Sequence, residues 1–533
     1  MFGWRPPQQM RKIPGKEGGR TVNRLKAAVC RLAKGLVVLA AALSLSGCSL
    51  GTDVEGLMRP PRSVGGQEAI QSALEAYLND VGKGGSSGGY TLKYPKSGEY
   101  RSAFILKDFN GDGEDEALAL YQPGPETGSI HINLLRKADE GWISVSDIEG
   151  AGNDVEEVMF GDLNADGVLE VIVGWNIYNV NGRQLTLYTL SSSGFVKWYD
   201  GLYSSDLVTD LTADGRDDLL VLQTGSAEQS PSATLWSAVR RDEEEVFREQ
   251  GTVSLDSTIQ QFRSIQTGQL SENVTGVYID GERVSGGLVT ELVYWDGTRL
   301  FAPFYDETTG FSQISYRDAK IPCMDVDGDG TIEWPSCQLF PGEEEAGPGS
   351  LWKTDWLSWS YESGTASRKF SSVVNLRDEY LLRLDDSWDG KISADYDKEE
   401  STLRLYDITD GQETILALRT NSTVYRTEGP AGATTAAATT STANTAATTN
   451  AAGSSGTGAP TGAAEGEAAP TLPGGGAAAS NGLPDPSYAD KSRYSYQLLE
   501  KREDGTTYEV WFSTKEPFNL TMEYIRYMFI FLQ

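Results

Sequence analysis

Histidine is almost missing from this chain of 533 residues: His131 is the only one. Multi-histidine metal centres and Ser-His-Asp or Cys-His catalysis each need a well-placed imidazole, so all are hard to build here. Cationic charge is scarce as well, with 45 Lys and Arg against 76 Asp and Glu and a formal net charge of −31. Proteins hold phosphate backbones by cationic neutralisation and counterion release, so this balance argues against nucleic acid as a partner. The apolar run Leu36–Leu45 is too short to cross a hydrocarbon core of about 30 Å as a helix. Any chemistry must run on carboxylates.

Residues 1–34 hold nine Lys or Arg and one acid, Glu17, ahead of that apolar run. A basic segment followed by a short apolar one has the form of an export signal. Leu45-Ser46-Gly47-Cys48 comes next and resembles the lipobox of bacterial lipoproteins. The resemblance implies a signal peptide over 1–47, cleavage before Cys48, acyl chains such as palmitate on that residue, and retention on the extracytoplasmic face of a cell membrane. Two or more acyl chains anchor stably where one does not. Removing the leader would take the charge from −31 to −39.

Residues 48–89 read as a lipid-anchored tether and an amphipathic helix. Ile70, Ala73, Leu74, Tyr77 and Leu78 recur at helical spacing and predict that helix over about 66–80. From Tyr90 the pattern becomes short runs of Val, Ile, Leu, Tyr and Trp divided by Gly, Asp, Asn and Ser, an all-β texture over about 90–360. A C-terminal α/β or all-β domain is expected in two parts, 361–427 and 487–533. Between them, 428–486 is rich in Thr, Ala and Gly, cannot offset its ordering entropy by burial, and reads as a disordered linker. Of Trp352, Trp356 and Trp359, a sugar platform is the sharper reading and burial in a β core the more ordinary one.

Four segments share the form Asp-x-(Asn/Asp/Thr)-x-Asp-Gly-x-x-(Asp/Glu). They supply Asp108, Asn110, Asp112 and Glu116; Asp162, Asn164, Asp166 and Glu170; Asp210, Thr212, Asp214 and Asp218; and Asp325, Asp327, Asp329 and Glu333. A fifth, degenerate copy runs from Tyr278-Ile-Asp280-Gly281 to Glu291–Trp295. Alternate side chains of a wrapped loop converge on one point, which suits a hard cation wanting six to eight oxygens at about 2.4 Å. Ca²⁺ in a structural role is therefore the expected cofactor, and polar hairpin turns are the plainer alternative.

These segments resemble the FG-GAP/VCBS repeats of integrin-α-like propellers, most closely at Phe160–Gly167 leading into Val171–Gly174. The resemblance implies a mainly β fold: a propeller-like array of about five to seven four-stranded blades, each acidic loop joining two strands of a blade. Ile130–Lys137, Trp142–Ile148, Val155–Leu163 and Glu170–Trp175 fill one period. Cys323 and Cys337 bracket the fourth loop; on strands meeting at a hairpin they are a disulfide candidate worth about 3 kcal/mol, with two buried thiols the alternative.

The leading function is a non-enzymatic, membrane-anchored, calcium-stabilised lipoprotein that binds a protein or glycan ligand. A carboxylate-based hydrolase of envelope glycans and a structural envelope spacer are the rivals. Asp385 and Asp386 are the nearest approach to a catalytic acid pair, and they read as solvated.

Overall fold

Two antiparallel strands with one face on a core read as alternating sequence, whereas strands covered on both faces read as unbroken apolar runs. This chain uses both. The computed structural model describes residues 65–82, 89–124, 129–139, 141–177, 183–191, 194–226, 229–241, 244–341, 351–422 and 495–532. The expected signal peptide of 1–47, Cys48 and the 428–486 linker lie outside the described residues. Helix α1 (Gly65–Asp80) forms where its apolar stripe places it, with Ile70, Leu74 and Leu78 buried. No helix among the described residues is long and apolar enough to cross a membrane.

The other described residues are mainly β, in six antiparallel sheets that follow one another along the chain. In the first, β1 (Tyr90–Leu92) and β2 (Phe104–Lys107) both pair with β3 (Glu116–Pro123), followed by β4 (His131–Ala138) and β5 (Gly141–Glu149). The second is β6 (Asp154–Gly161), β7 (Glu170–Asn176), β8 (Arg183–Ser191) and β9 (Gly194–Tyr203). The third is β10 (Ser205–Thr209), β11 (Asp218–Gln223), β12 (Ser232–Arg241) and β13 (Glu244–Ser254). The fourth is β14 (Ile259–Ser271), β15 (Val274–Arg283), β16 (Leu288–Trp295) and β17 (Leu300–Phe301).

The fifth sheet is ordered β18 (Trp334–Leu339), β19 (Trp352–Ser360), β20 (Thr365–Asn375), β21 (Tyr380–Leu384) and β27 (Phe529–Phe531). The sixth is β22 (Ile392–Asp397), β23 (Thr402–Asp407), β24 (Thr414–Asn421), β26 (Thr507–Phe512) and β25 (Gln497–Lys501). Helix α2 (Met522–Met528), capped by Thr521, leads into β27. Among the described residues, the region after 360 is thus β sheet with one short α-helix, not α/β. The strands before and after the linker join in one sheet through β24 and β26. The expected boundary at 360/361 falls in the turn between β19 and β20, which pair.

Apolar clusters lie between consecutive sheets. Leu118 and Ile132 of the first pack with Val173 and Trp175 of the second. Ile172 and Leu187 of the second meet Leu219 and Val221 of the third, and Leu220 and Leu235 of the third meet Ile279 and Val289 of the fourth. The same holds for Tyr278 and Leu292 with Trp334, and for Tyr380 and Leu382 with Leu405 and Leu416. Inner strands are therefore covered on both sides: Ala117–Tyr121 of β3 is buried throughout, while β5 alternates between exposed and half-buried.

Four sheets share a further device. One extra residue bulges in each: Val145, Trp198 and Gln250 in the edge strands β5, β9 and β13, and Lys369 in β20, an inner strand of the fifth sheet. A bulge bends its strand and re-aims the extra side chain.

Three expectations change. The strands Ile130–Lys137, Trp142–Ile148, Val155–Leu163 and Glu170–Trp175, read as one period, belong two to the first sheet and two to the second. The frame shifts because an acidic loop joins the first pair of strands in a sheet, not the last. The degenerate copy is no loop at all: Asp280 sits in mid-strand in β15, opposite Thr290 of β16. Its buried carboxylate meets the buried Arg317 guanidinium at 2.6 Å and also accepts from Ser264, Thr290 and the Cys323 amide.

Cys323 and Cys337 are free thiols. Met324 pairs with Glu333, so continuing that register sets Trp334 opposite Cys323, and Cys337 lies three residues, about 10 Å, further along. Cys323 packs beside Tyr278 and Trp334, whereas Cys337 faces Thr354 of β19.

Glu291 of β16 is fully buried beside Asp256, accepting from the Asp256 amide and the Ser312 hydroxyl. Burial, with the Asp256 carboxylate adding to it, pushes Glu291 up to about 8. Its proton is held in the folded chain and released on unfolding from about pH 4.5 upward. Glu291 therefore costs stability as pH rises, by roughly 1.4 kcal/mol per unit at most, until the cost levels off above about pH 8. Glu291→Gln is expected to flatten that decline in denaturant titrations between pH 5 and 8, with its largest gain over wild type at pH 8.

Candidate metal-binding loops

Each acidic segment closes an antiparallel hairpin in one register. The residue before the first aspartate pairs with the ninth-position acid: Lys107 with Glu116, Gly161 with Glu170, Thr209 with Asp218 and Met324 with Glu333. The ninth residue is thus the first of the second strand in the first three loops and immediately precedes β18 in the fourth. The second position is apolar and buried in every loop, as Phe109, Leu163, Leu211 and Val326. Its amide donates to the ninth-position carboxylate at 2.8 to 3.2 Å.

The first aspartate organises the turn. Asp108 accepts from the amides of Gly111, Asp112 and Gly113, and Asp325 from Gly328, Asp329 and Gly330. Asp162 and Asp210 each take the amides at positions five and six. The fifth-position aspartates Asp112, Asp166, Asp214 and Asp329 accept the amides of position seven. Asn110 and Asn164 likewise turn their oxygens onto the amides of position five. An accepted amide hydrogen leaves further lone pairs on each of these oxygens. Thr212 Oγ1 is buried without a protein partner among the described residues.

Positions four and six are left-handed in all four loops. Position six is glycine throughout, with φ between 82° and 89°; position four is Gly111 and Gly328 in two loops but Ala165 and Ala213, at 57° and 56°, in the others.

Consecutive loops touch. The Leu169 amide of the second loop donates to the Phe109 carbonyl of the first at 2.8 Å, and the Asp217 amide of the third to the Asp162 carbonyl of the second at 3.2 Å. The Asp217 carboxylate accepts the Asp162 amide in return at 3.1 Å. Asp217 makes a loop-to-loop contact the motif does not show, since it stands between ligand positions.

The ninth-position acids Glu116, Glu170, Asp218 and Glu333 are all buried. Burial raises all four and takes Glu170 and Glu333 up to about 7. Their compensation differs. Glu170 accepts from Thr189 and Asp218 from Ser237, both neutral hydroxyls. Glu116 has the Arg136 guanidinium at 3.5 Å.

Glu333 has Lys369, whose ammonium lies 2.9 Å from it, 2.8 Å from Asp327 and 2.6 Å from Asp329. Among the described residues, only Asp325, Asp327 and Glu333 bring three acidic ligand atoms within 4.8 Å of one another. The first three loops, with neutral side chains at position three, spread their acids more widely. Their oxygens suit a cation that also takes backbone carbonyls and water. In the fourth loop an ammonium stands among the same carboxylates that lie close enough together to hold a metal ion.

Elsewhere the polar groups are engaged structurally. His131 Nδ1 is 3.1 Å from Asp147, and its ring stacks on Tyr121. Asp385 accepts from Tyr524 and Ser387, and Asp386 from Arg368. Trp356 is wholly buried and donates to Ser372; Trp352 and Trp359 are half-buried against neighbouring cores.

No family model matches the chain, and no curated protein matches it. Among solved structures, Sqt1 of Saccharomyces cerevisiae is similar over 63% of this chain and 93% of its own, at 8% identity and a TM-score of 0.27. AofleA of Arthrobotrys oligospora is similar over 63% of this chain and 88% of its own, at 12% identity and a TM-score of 0.23. Likeness at this level identifies no shared fold.

Left-handed alanine costs roughly 1–2 kcal/mol relative to glycine before glycine's own entropy is counted. Gly215→Ala is expected to lower stability by about 1 kcal/mol and Ala213→Gly to leave it level or raise it, read as opposite shifts of the denaturant midpoint.

Proposed function

We propose that this chain is an extracytoplasmic lipoprotein, held on a membrane by acyl chains on Cys48, whose sheets act as blades of a propeller-like array of the FG-GAP/VCBS type. Calcium stabilises the array, and its role is to bind a protein or glycan ligand, not to catalyse a reaction. The reading rests above all on the acidic loops. They repeat one register, one pattern of amide capping and one buried acid, and the first three hydrogen-bond to each other in series.

A cation at such a loop neutralises carboxylates held close together and relieves the buried ninth acid. The need is greatest at Glu170 and Asp218, whose side-chain partners are hydroxyls. The residues that would hold the ion are Asp108, Asn110, Asp112 and Glu116; Asp162, Asn164, Asp166 and Glu170; and Asp210, Thr212, Asp214 and Asp218. The role is structural, and no chemical step is assigned to it.

A glycan is favoured as ligand by an open depression of about 490 Å³ at the other end of β11 and β12 from the acidic loops. Thr224, Ser226, Gln229, Ser230, Ser257 and Gln260 line it. Hydroxyls and amides without a formal charge hydrogen-bond sugars without drawing ions. The rival hydrolase lacks comparable support, since Asp385 and Asp386 are already bonded to Tyr524 and Arg368.

Open loops of this kind bind calcium in the range of about 10⁻⁴–10⁻³ M, so a tenfold excess over Kd would stabilise the fold by about 1.4 kcal/mol per loop. The thermal midpoint is expected to rise with millimolar Ca²⁺ and fall with chelator; an unchanged midpoint would sink the calcium role. Cys48→Ala is expected to abolish labelling by an alkynyl palmitate analogue and move the protein from the membrane to the soluble fraction. Retention at the membrane with unchanged labelling would rule out Cys48 as the anchor.

A further inference from the structure

The fourth loop differs from the others in two linked ways. Its third position is an acid, Asp327, where the others have Asn110, Asn164 and Thr212. It also receives a cation from the chain: Lys369 Nζ donates to Asp327 Oδ1 at 2.8 Å, Asp329 Oδ2 at 2.6 Å and Glu333 Oε1 at 2.9 Å. An ammonium has three hydrogens to give, and these three carboxylates accept all of them. The charge added by Asp327 is thereby offset within the chain.

The placement is built into the sheet. Phe370 pairs with Trp356 and Arg368 with Leu357, leaving Lys369 as the extra residue of the β20 bulge. The corresponding bulges hold Val145, Trp198 and Gln250, none of them a cation. A bulge turns its residue out of the strand's alternation, and here the turned side chain ends at the loop.

We infer that Lys369 is the resident cation of the fourth loop, which the chain closes with its own ammonium and which takes no metal. The contrast with the first three loops rests on the calcium reading above; closure by Lys369 does not.

The test is amide hydrogen exchange of the full chain, followed by mass spectrometry, for wild type, Lys369→Met and Lys369→Arg, each in millimolar Ca²⁺ and in chelator. In wild type the peptide over 325–333 is expected to exchange equally in both, while peptides over 162–170 and 210–218 lose protection on chelation. Lys369→Met is expected to speed exchange over 325–333 by about tenfold or more in chelator, and Lys369→Arg to stay within about twofold of wild type. Faster exchange of the wild-type 325–333 peptide on chelation overturns the inference. So does a folded Lys369→Met chain with that peptide unchanged.

If Lys369→Met does not fold, the wild-type comparison decides. If chelation moves none of the loops, the calcium reading falls, and Lys369 is judged on its methionine variant.

Discussion

The constraint on which the structure depends is that no sheet can bury its own apolar side chains. A sheet as narrow as β6–β9 has two broad faces, and its inner strand β7 is buried along nearly its whole length. Those faces are covered only by the preceding and following sheets, so stability is shared between neighbours as in repeat proteins. Stacking has a geometric by-product. Sheets entered through the same hairpin bring that hairpin to the same end each time, which lets the Leu169 and Asp217 amides reach the loop before their own.

The same stacking makes carboxylates expensive. The ninth residue of each of the first three loops begins an inner strand and that of the fourth adjoins β18; all four acids are taken out of water, which penalises the charged form. The chain meets this cost by several routes: hydroxyls at Glu170 and Asp218, a distant guanidinium at Glu116, an ammonium at Glu333. The fourth sheet dispenses with a loop and buries Asp280 against Arg317. Removing one partner of such a pair is far more damaging than its net contribution suggests, because the other is left as an uncompensated charge.

Much of this was legible in the sequence. The Asp-Gly spacing marked all four loops, the helical stripe marked α1, and apolar runs such as Glu170–Trp175 marked strands. The strands on both sides of the 428–486 segment were also visible as halves of one unit. The grouping of strands into sheets was not, because alternation of side chains does not say which hairpin begins a sheet. Nor was the fate of Cys323 and Cys337, which a register three residues out of step keeps apart.

Lys369 was invisible for a different reason. It lies 36 to 42 residues from the acids it touches, and only a bulge directs it there. Asp280 looked like a worn loop because its sequence neighbours are right; its partner Arg317 is 37 residues away.

The pairing of β24 with β26 ties together the strands before and after the 428–486 segment. The last strand before it, β24, and the first after it, β25, lie in one sheet with β26 between them, and the chain's last strand, β27, returns to β21 in the sheet before. Everything after the segment is therefore woven into what precedes it by backbone hydrogen bonds on two separate sheets. A protease that cut within 428–486 would sever the polypeptide without separating the pieces, and the protein would persist as a two-chain molecule of the same fold.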